Sequence, residues 1–260
     1  MALVEVSCSG SIAIVTMAHP ERRNALSREL VADMLAALQG AADDGCRALI
    51  LRAQPGARVW SAGHDVDDLP RDGQDPLAWT SPVEHLVRLV RSVPFPVIAA
   101  VEGSVWGAAC NLAVTCDLVV ATRDSTFAIT PAKLGVPYHT AGIAQFLSAL
   151  PRNVVDEMFF TADPLGGERA YHLGLVNRLA EDGDDMERLA MDLAGTIAER
   201  APLSIRATKA EIAVLTDARV VTSEDFERLA ALRRAAWSSH DYQEGLDAFH
   251  ERRSPRFIGE

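Results

Sequence analysis

The sequence is poor in lysine and has no long apolar run. Only two of its 25 basic residues are lysines, Lys133 and Lys209, and its formal net charge is −11. This acidic balance argues against nucleic-acid binding, which usually needs a basic surface, and any anion-binding site must use mainly arginine. Because no apolar run approaches the ~18 residues of a membrane-spanning helix and the N-terminus lacks a signal-peptide pattern, we expect a cytoplasmic protein with no nucleic-acid or membrane partner.

Cysteine and histidine are also scarce, and their spacing forms no binding motif. No two cysteines have the Cys-x-x-Cys spacing, so we expect all of them to be reduced and structural. The seven histidines form no ligand-spaced pair, and no metal site is therefore expected. The four cysteines are Cys8, Cys46, Cys110 and Cys116.

Strands and helices are predicted to alternate along the first 195 of the 260 residues, and only helices are predicted after them. The predicted strands are Val4 to Cys8 and Ile12 to Met17 (a hairpin around Gly10), Ala48 to Leu51, a strand from Val59, Val97 to Val101, Leu118 to Ala121, a short one at Phe127, and Leu175 to Leu179. The predicted helices run from Ser27 to near Gly40, Val83 to Val93, Ile143 to Leu150, Val154 to Thr161, Met186 to Ile197, Ile205 to Leu215, Glu224 to Trp237 and Tyr242 to Glu251. Residues 67–82 are predicted to be a surface loop. This order predicts an α/β core over residues 1–195 and a helical region over residues 196–260.

The stretch from Ala100 to Asp117 is the most informative part of the sequence. A buried strand leads into a turn with Gly103 and Gly107, and small residues from Ala108 then open a helix. The first N–H groups of a helix have no partner within it, and they lie at the positive end of the helix dipole. They can therefore face a ligand at the turn, although a tightly packed strand-to-helix connection would have the same sequence.

A second glycine turn, Ala62-Gly63-His64, also follows a strand. In a layered α/β core, both turns can present backbone N–H groups at the same edge. Two such donors directed at one oxygen make an oxyanion hole, which stabilises an enolate or a tetrahedral intermediate. Spacing alone suggests this arrangement without establishing it.

Five segments of the sequence carry a family resemblance. They are Asn24–Leu26, Ser61–Asp65, Val101–Asp117, Leu134–Pro137 and Glu244–Phe249. Together they resemble the crotonase superfamily, which has the enoyl-CoA hydratase/isomerase fold, and the resemblance spans essentially the whole chain. It implies a spiral of ββα units, a C-terminal helical trimerisation region, and homotrimers or dimers of trimers. It also implies an acyl-CoA thioester substrate, no added cofactor because CoA is part of that substrate, and a thioester oxygen held by the N–H groups of His64 and Ala108.

The side chains at two positions argue against the commonest reactions of this superfamily. Hydratases carry one glutamate at the position of Asn111 and another at the position of Pro131, and double-bond isomerases keep the second. Neither residue found here can exchange a proton as a carboxylate does. Decarboxylation of a malonyl-type thioester needs no base, because loss of CO2 itself generates the enolate. The sequence therefore favours a decarboxylase.

A closer resemblance agrees with this argument. The segments Trp60–Asp65, Glu102–Gly107 and Thr130–Tyr138 are similar to those of bacterial crotonase-type decarboxylases that convert methylmalonyl-CoA to propionyl-CoA and CO2. By that likeness, Tyr138 is expected at the substrate carboxylate with His64 beside it, so that His64, Ala108 and Tyr138 are the predicted catalytic residues. The predicted substrate-binding residues are Ala25, Ala62, Gly63, Trp106, Gly107, Asn111, Thr130 and Pro131.

Several of these assignments have a simpler alternative. His64 can act through its backbone alone, Tyr138 can be a core residue, and Asn111 can serve only packing. The family places a basic tail near the CoA phosphates, yet Arg252 and Arg253 also fit a solvated helix end. For the whole protein the alternatives are thioester hydrolysis, residual hydration, or a non-catalytic acyl-CoA-binding trimer. Both oxyanion turns and the Tyr138 loop look intact, which favours an enzyme.

Overall fold

The computed structural model describes residues 2–69, 78, 80–217, 227, 230–231 and 234–258. Its strands form two sheets. They are β1 (Val4–Ser9), β2 (Ile12–Met17), β3 (Ala48–Ala53), β4 (Val59–Ser61), β5 (Val97–Val101), β6 (Ser104–Trp106), β7 (Leu118–Thr122), β8 (Thr126–Ala128), β9 (Leu165–Gly166) and β10 (Arg178–Ala180). One sheet has the order β1-β2-β3-β5-β7-β10, and the other has the order β4-β6-β8-β9.

The helices connect and cover these sheets. They are α1 (Arg28–Asp43), α2 (Pro82–Ser92), α3 (Ala108–Thr115), α4 (Thr140–Ala149), α5 (Arg152–Thr161), α6 (Gly167–His172), α7 (Gly183–Ala198), α8 (Pro202–Asp217) and α9 (His240–Glu251), with short 3₁₀ helices at Pro20–Arg22, Val66–Asp68 and Pro131–Leu134. Within the described part of the chain, none of the helices combines the length and apolarity needed to cross a membrane.

The two sheets arise from a repeated ββα unit. The units β3-β4-α2, β5-β6-α3 and β7-β8-α4 each give their first strand to the six-stranded sheet and their second to the four-stranded sheet. Equivalent strands of successive units pair in parallel, β5 with both β3 and β7, and β6 with both β4 and β8. This is the crotonase-like spiral that the family resemblance implies, and the expected fold class is confirmed.

The central strands are apolar on both faces because both faces are covered. Alternate side chains of a strand point to opposite sides of a sheet. Ile50 and Ile98 lie in a cluster with Met186 and Ala190 of α7, whereas Leu49 belongs to the main core on the other side. This two-sided burial explains why the strands read as continuous apolar runs in the sequence.

Most predicted elements are found, with shifted boundaries. The hairpin of β1 and β2 is confirmed, and Ser27 accepts a hydrogen bond from the Leu30 N–H as the N-cap of α1. That helix continues past Gly40 to Asp43, because a single glycine weakens a helix without ending it. Helix α4 begins at Thr140 rather than Ile143, because the His139 side chain caps it.

The strand predicted from Leu175 to Leu179 was misplaced. Leu175 and Val176 are buried, but their N–H groups donate to the Ala170 carbonyl and belong to the turn after α6. The strand begins only at Arg178. Half of the predicted helix from Glu224 to Trp237, and most of the loop over residues 67–82, lie outside the described residues.

The C-terminal helices attach to the core through Lys209 and Gly245, among other contacts of the described residues. The Lys209 ammonium on α8 donates to the carbonyls of Val90 and Phe95 and to the Asp117 carboxylate, at 2.9, 2.9 and 2.7 Å. Helix α9 packs its Gly245 directly against the Leu134 carbonyl. The domain division at residue 195 falls within α7 and stays a prediction.

Candidate active site

A cavity of about 550 Å³ opens between the two glycine turns, the 3₁₀ helix Pro131–Leu134 and the residues that follow it. Its wall contains nine of the eleven site residues predicted from the sequence. These are Ala25, Ala62, His64, Trp106, Gly107, Ala108, Thr130, Pro131 and Tyr138. Gly63 lies between two wall residues, and Asn111 lies on α3 with its side chain turned toward Gln145 of α4. The structure thus brings together segments that are up to 113 positions apart in the chain, from Ala25 to Tyr138.

The glycine turn Ala62-Gly63-His64 is fixed by the segment Asn24–Leu26. The Asn24 amide donates to the Trp60 carbonyl at 3.0 Å, and the Ser61 hydroxyl donates to the Asn24 carbonyl at 2.6 Å. The Leu26 N–H donates to the Gly63 carbonyl at 2.7 Å. These bonds hold the strand end and the turn in one orientation, because the groups involved are buried.

The two turns touch each other at Gly63. Its φ is +84°, and a Cβ atom there would collide with the Trp106 carbonyl oxygen and stand 3.2 Å from the Ala108 nitrogen. Gly107 has φ 52° and ψ −120°, a conformation that essentially only glycine adopts. Glycine is therefore required at both positions, for close approach at the first and for backbone conformation at the second.

The backbone N–H groups of His64 and Ala108 are available at this contact. Among the described residues, neither N–H has a hydrogen-bond acceptor, although the neighbouring Gly107 N–H donates to the Ala128 carbonyl at 2.8 Å. Ala108 is the first residue of α3, so its N–H lies at the positive end of that helix. The arrangement can stabilise negative charge on one ligand oxygen.

His64 and Tyr138 bring two polar side chains to the same wall. The His64 ring is half-buried, and its Nδ1 lies 3.0 Å from the Asp65 carbonyl oxygen. The Tyr138 ring packs edge-on against Phe159 with centroids 5.3 Å apart. Burial, together with the nearby Cys110 and Glu84, raises the pKa of Tyr138 well above its usual value. Its phenol is therefore a neutral hydrogen-bond donor.

Asn111 and Pro131 supply no acid, as the sequence indicates. The Asn111 amide is 2% exposed and donates to the Gln145 Oε1, which also accepts from the Thr115 hydroxyl at 2.9 Å. Its side chain is thus engaged between α3 and α4 rather than at the cavity wall. Pro131 begins a 3₁₀ helix and presents only its ring. The predicted role of Asn111 in substrate binding stays a prediction.

A buried pair of a carboxyl group and an imidazole lies behind Tyr138 and was not predicted from the sequence. Glu84 of α2 and His139 are only 5% and 4% exposed, and the His139 Nε2 lies 3.2 Å from the Glu84 Oε1. Burial raises the pKa of Glu84 from 4.5 to about 7, and burial lowers the pKa of His139 from 6.5 to about 4. The available signal was a glutamate inside the apolar face that Val83, Leu86, Val87 and Val90 form on α2.

Charged residues surround the mouth of the cavity. Arg22 is held by Asp65 and Asp67 at 2.9 and 2.8 Å, and Arg23 and Lys133 also line the opening. Of the two tail arginines, Arg253 is engaged by Glu244 and Glu251, while Arg252 is exposed. Metal binding has no support in the described ranges, where no cluster of three or more His, Cys, Asp or Glu side chains forms.

The spiral of ββα units defines a crotonase-type protein, and comparison with known proteins gives the family. The enoyl-CoA hydratase/isomerase family model matches residues 7–260. The chain belongs to this family.

One relative is the methylmalonyl-CoA decarboxylase of Escherichia coli (strain K12), which is 39% identical over 98% of each chain. Two solved structures are also similar to this chain, each with a TM-score of 0.97 and 38% sequence identity. One is methylmalonyl-CoA decarboxylase in complex with 2-nitronate-propionyl-CoA, with 99% of each chain covered. The other is methylmalonyl-CoA decarboxylase complexed with 2S-carboxypropyl-CoA, with 100% of this chain and 99% of that chain covered.

Proposed function

We propose that this protein is an acyl-CoA decarboxylase that converts methylmalonyl-CoA to propionyl-CoA and CO2. The observation that carries the proposal is an oxyanion site without the two family carboxylates. The free N–H groups of His64 and Ala108 face the cavity. Pro131 in the cavity wall and Asn111 on α3 replace the two hydratase acids. The resemblance to methylmalonyl-CoA decarboxylases over nearly the whole chain supports the same reaction.

The proposed reaction needs charge stabilisation and orientation rather than a base. The thioester oxygen accepts hydrogen bonds from the His64 and Ala108 N–H groups, and the carboxylate accepts one from the Tyr138 hydroxyl. The electrons of the C–C bond to the carboxylate then flow into the thioester carbonyl, CO2 departs, and an enolate forms. The oxyanion donors stabilise the charge as it develops. Addition of a proton to the enolate carbon completes propionyl-CoA.

A substrate panel tests the proposal. The purified protein is incubated with malonyl-, methylmalonyl-, ethylmalonyl- and crotonyl-CoA, and products are identified by mass. Conversion of methylmalonyl-CoA to propionyl-CoA is the expected result, without hydration of crotonyl-CoA. Turnover of crotonyl-CoA alone would make the protein a hydratase, release of free CoA would make it a thioesterase, and binding without turnover would make it an acyl-CoA-binding protein.

Restoring one carboxylate is not expected to create a hydratase. In the Asn111→Glu variant the position of Pro131 still lacks an acid, and two groups are normally needed to position and activate the water. Crotonyl-CoA hydration should therefore stay at the background rate in a spectrophotometric assay. The isosteric Asn111→Asp variant is the control for effects of added charge. Substantial hydration by Asn111→Glu would show that one carboxylate suffices here.

We infer a homotrimer or a dimer of trimers as the working assembly. Helix α8 exposes four large apolar side chains, which an isolated chain would leave in water. They are Leu203, Ile212, Val214 and Leu215. Helix α8 belongs to the C-terminal region, and the family resemblance implies that this region forms the trimer.

We also propose that the protein is cytoplasmic, as predicted from the sequence.

A charge on α8 is expected to weaken the assembly. Leu215→Asp would place a carboxylate in an apolar contact, and burial of an unpaired charge is costly. Light scattering coupled to size exclusion should show a shift toward monomer at micromolar concentration. Ser204→Asp, at an exposed polar position of the same helix, is the control and should keep the assembly. A parent protein that is already monomeric would refute the inference.

A further inference from the structure

The pair of Glu84 and His139 is not used by the proposed reaction, although it adjoins the cavity. His139 follows Tyr138 in the chain, and their ring centroids are 4.9 Å apart. Both rings press on Gly142, where an added Cβ would meet the His139 Nε2 and the Tyr138 Cε1 at 2.5 Å each. The polar edge of His139 therefore lies beside the hydroxyl end of Tyr138. Glu84 is in contact with this edge of His139.

The tautomer of His139 follows from its second contact. The His139 Nδ1 accepts a hydrogen bond from the Gly142 N–H at 3.4 Å, as the N-cap of α4. A neutral imidazole has one donor and one acceptor nitrogen. The Nε2 therefore carries the hydrogen, and it lies 3.2 Å from the Glu84 Oε1. His139 thus places an N–H group next to the Glu84 carboxyl group, on the side of Tyr138.

Few other charged groups face Glu84. Arg88, one turn later on α2, acts on it as an opposing charge. The buried residues of the neighbouring α1 are all apolar, and α3 contributes the neutral Cys110 thiol. Lys209 and Asp117 pair with each other at the far end of α2. Glu84 is thus the acid whose charge acts most directly on Tyr138.

We propose that Glu84, positioned by His139, controls binding of the substrate carboxylate, which enters beside Tyr138 only while Glu84 is neutral. This inference rests on the proposed function, because it takes the Tyr138 hydroxyl as the carboxylate site. Two carboxylates that share a desolvated site do not both ionise without cost. An ionised Glu84 therefore repels the substrate carboxylate, and a bound carboxylate favours the protonated form of Glu84. Glu84 is a positioning residue, since it acts on the bound carboxylate by its charge from behind Tyr138 and touches no reacting atom.

The raised pKa of Glu84 places this control of carboxylate binding near neutral pH. Because burial raises the pKa of Glu84 to about 7, the carboxyl group is mostly neutral at pH 6 and mostly ionised at pH 8. Carboxylate binding should therefore be strong at the lower pH and weak at the higher one. Ligands without a carboxylate should not respond, because they place no charge beside Tyr138.

Calorimetry with two matched ligands tests the proposal without turnover. The probes are 2S-carboxypropyl-CoA, which carries the carboxylate, and propionyl-CoA, which does not, so effects of the CoA phosphates cancel between them. From pH 6 to pH 8 we expect the Kd of the first to rise roughly tenfold relative to the second. Binding of the first near pH 7.5 should also take up a proton, seen as a dependence of the enthalpy on the buffer.

The variants separate Glu84 from other groups. Glu84→Gln should make the ratio of the two Kd values independent of pH and abolish the proton uptake. His139→Asn keeps an N-cap for α4 but removes the N–H group next to the Glu84 carboxyl group, so the weakening should move to higher pH. This second variant serves as the test if Glu84→Gln does not fold.

Two results would overturn the proposal. The first is an equal response of both ligands to pH in the parent protein. The second is a carboxylate-specific response to pH that persists in Glu84→Gln. The response would then arise from another group in the same cavity, such as His64. Because binding is measured apart from turnover, failure of the decarboxylase assay and failure of this inference are distinguishable.

Discussion

Replacing Ala108 with proline is expected to lower the turnover of methylmalonyl-CoA by roughly 10²–10³-fold. Proline has no N–H, so the substitution deletes the oxyanion donor at the start of α3 and leaves the His64 N–H in place. Folding should survive, because proline is tolerated in the first turn of a helix and this N–H has no acceptor among the described residues. Single-turnover kinetics on methylmalonyl-CoA measures the loss.

A matched variant separates the donor from the side chain. Ala108→Gly keeps the N–H and removes only a methyl group, so it should retain activity within a few-fold of the parent. Circular dichroism establishes that both variants are folded. An Ala108→Pro protein that is folded and fully active would exclude this N–H from the oxyanion site.

Replacing Tyr138 with phenylalanine should slow decarboxylation by roughly 10- to 100-fold. A hydrogen bond to a charged group contributes about 1.5–3 kcal/mol, and about 1.4 kcal/mol corresponds to a tenfold change in rate. The phenol holds the carboxylate so that the breaking C–C bond stands perpendicular to the thioester plane, which is catalysis by positioning. The hydrogen bond must also be moderate, because tight binding of the ground-state carboxylate opposes its conversion to CO2.

The ligand without a carboxylate provides the control for Tyr138. The ring keeps its contact with Phe159 in the phenylalanine variant, so the fold and CoA binding should persist. Propionyl-CoA should therefore inhibit parent and variant at the same concentration. If its affinity falls in step with activity, or if turnover is unchanged, Tyr138 has a packing role and the carboxylate is held elsewhere.

The sequence was most informative where the backbone itself makes the site. Gly63 and Gly107 have conformations or contacts that few other residues permit, so a glycine after a strand is a direct signal of such a turn. The identity of residues 111 and 131 then limits the chemistry without any coordinates, because an amide and a proline ring cannot act as carboxylates. The spiral of ββα units was expected from the family resemblance that these turns and other segments carry.

Other features depend on tertiary contacts that a linear pattern does not encode. Leu175 and Val176 are apolar and buried, yet burial alone does not distinguish a strand from a turn that packs under a helix. Glu84 and His139 lie 55 positions apart, and each has an ordinary local role, on a helix face and at a helix N-cap. Their pairing exists only because α2 packs next to the start of α4.

The scarcity of lysine gives this protein an unusual response to amine-directed chemistry. One of the two lysine side chains, Lys209, is shielded by the Val90 and Phe95 carbonyls and the Asp117 carboxylate, whereas Lys133 is exposed at the rim of the cavity. An acylating fluorophore or an activated resin therefore has a single open lysine, and it stands at the mouth of the cavity. Labelling through lysine would report on occupancy of the cavity, and immobilisation through lysine would obstruct it.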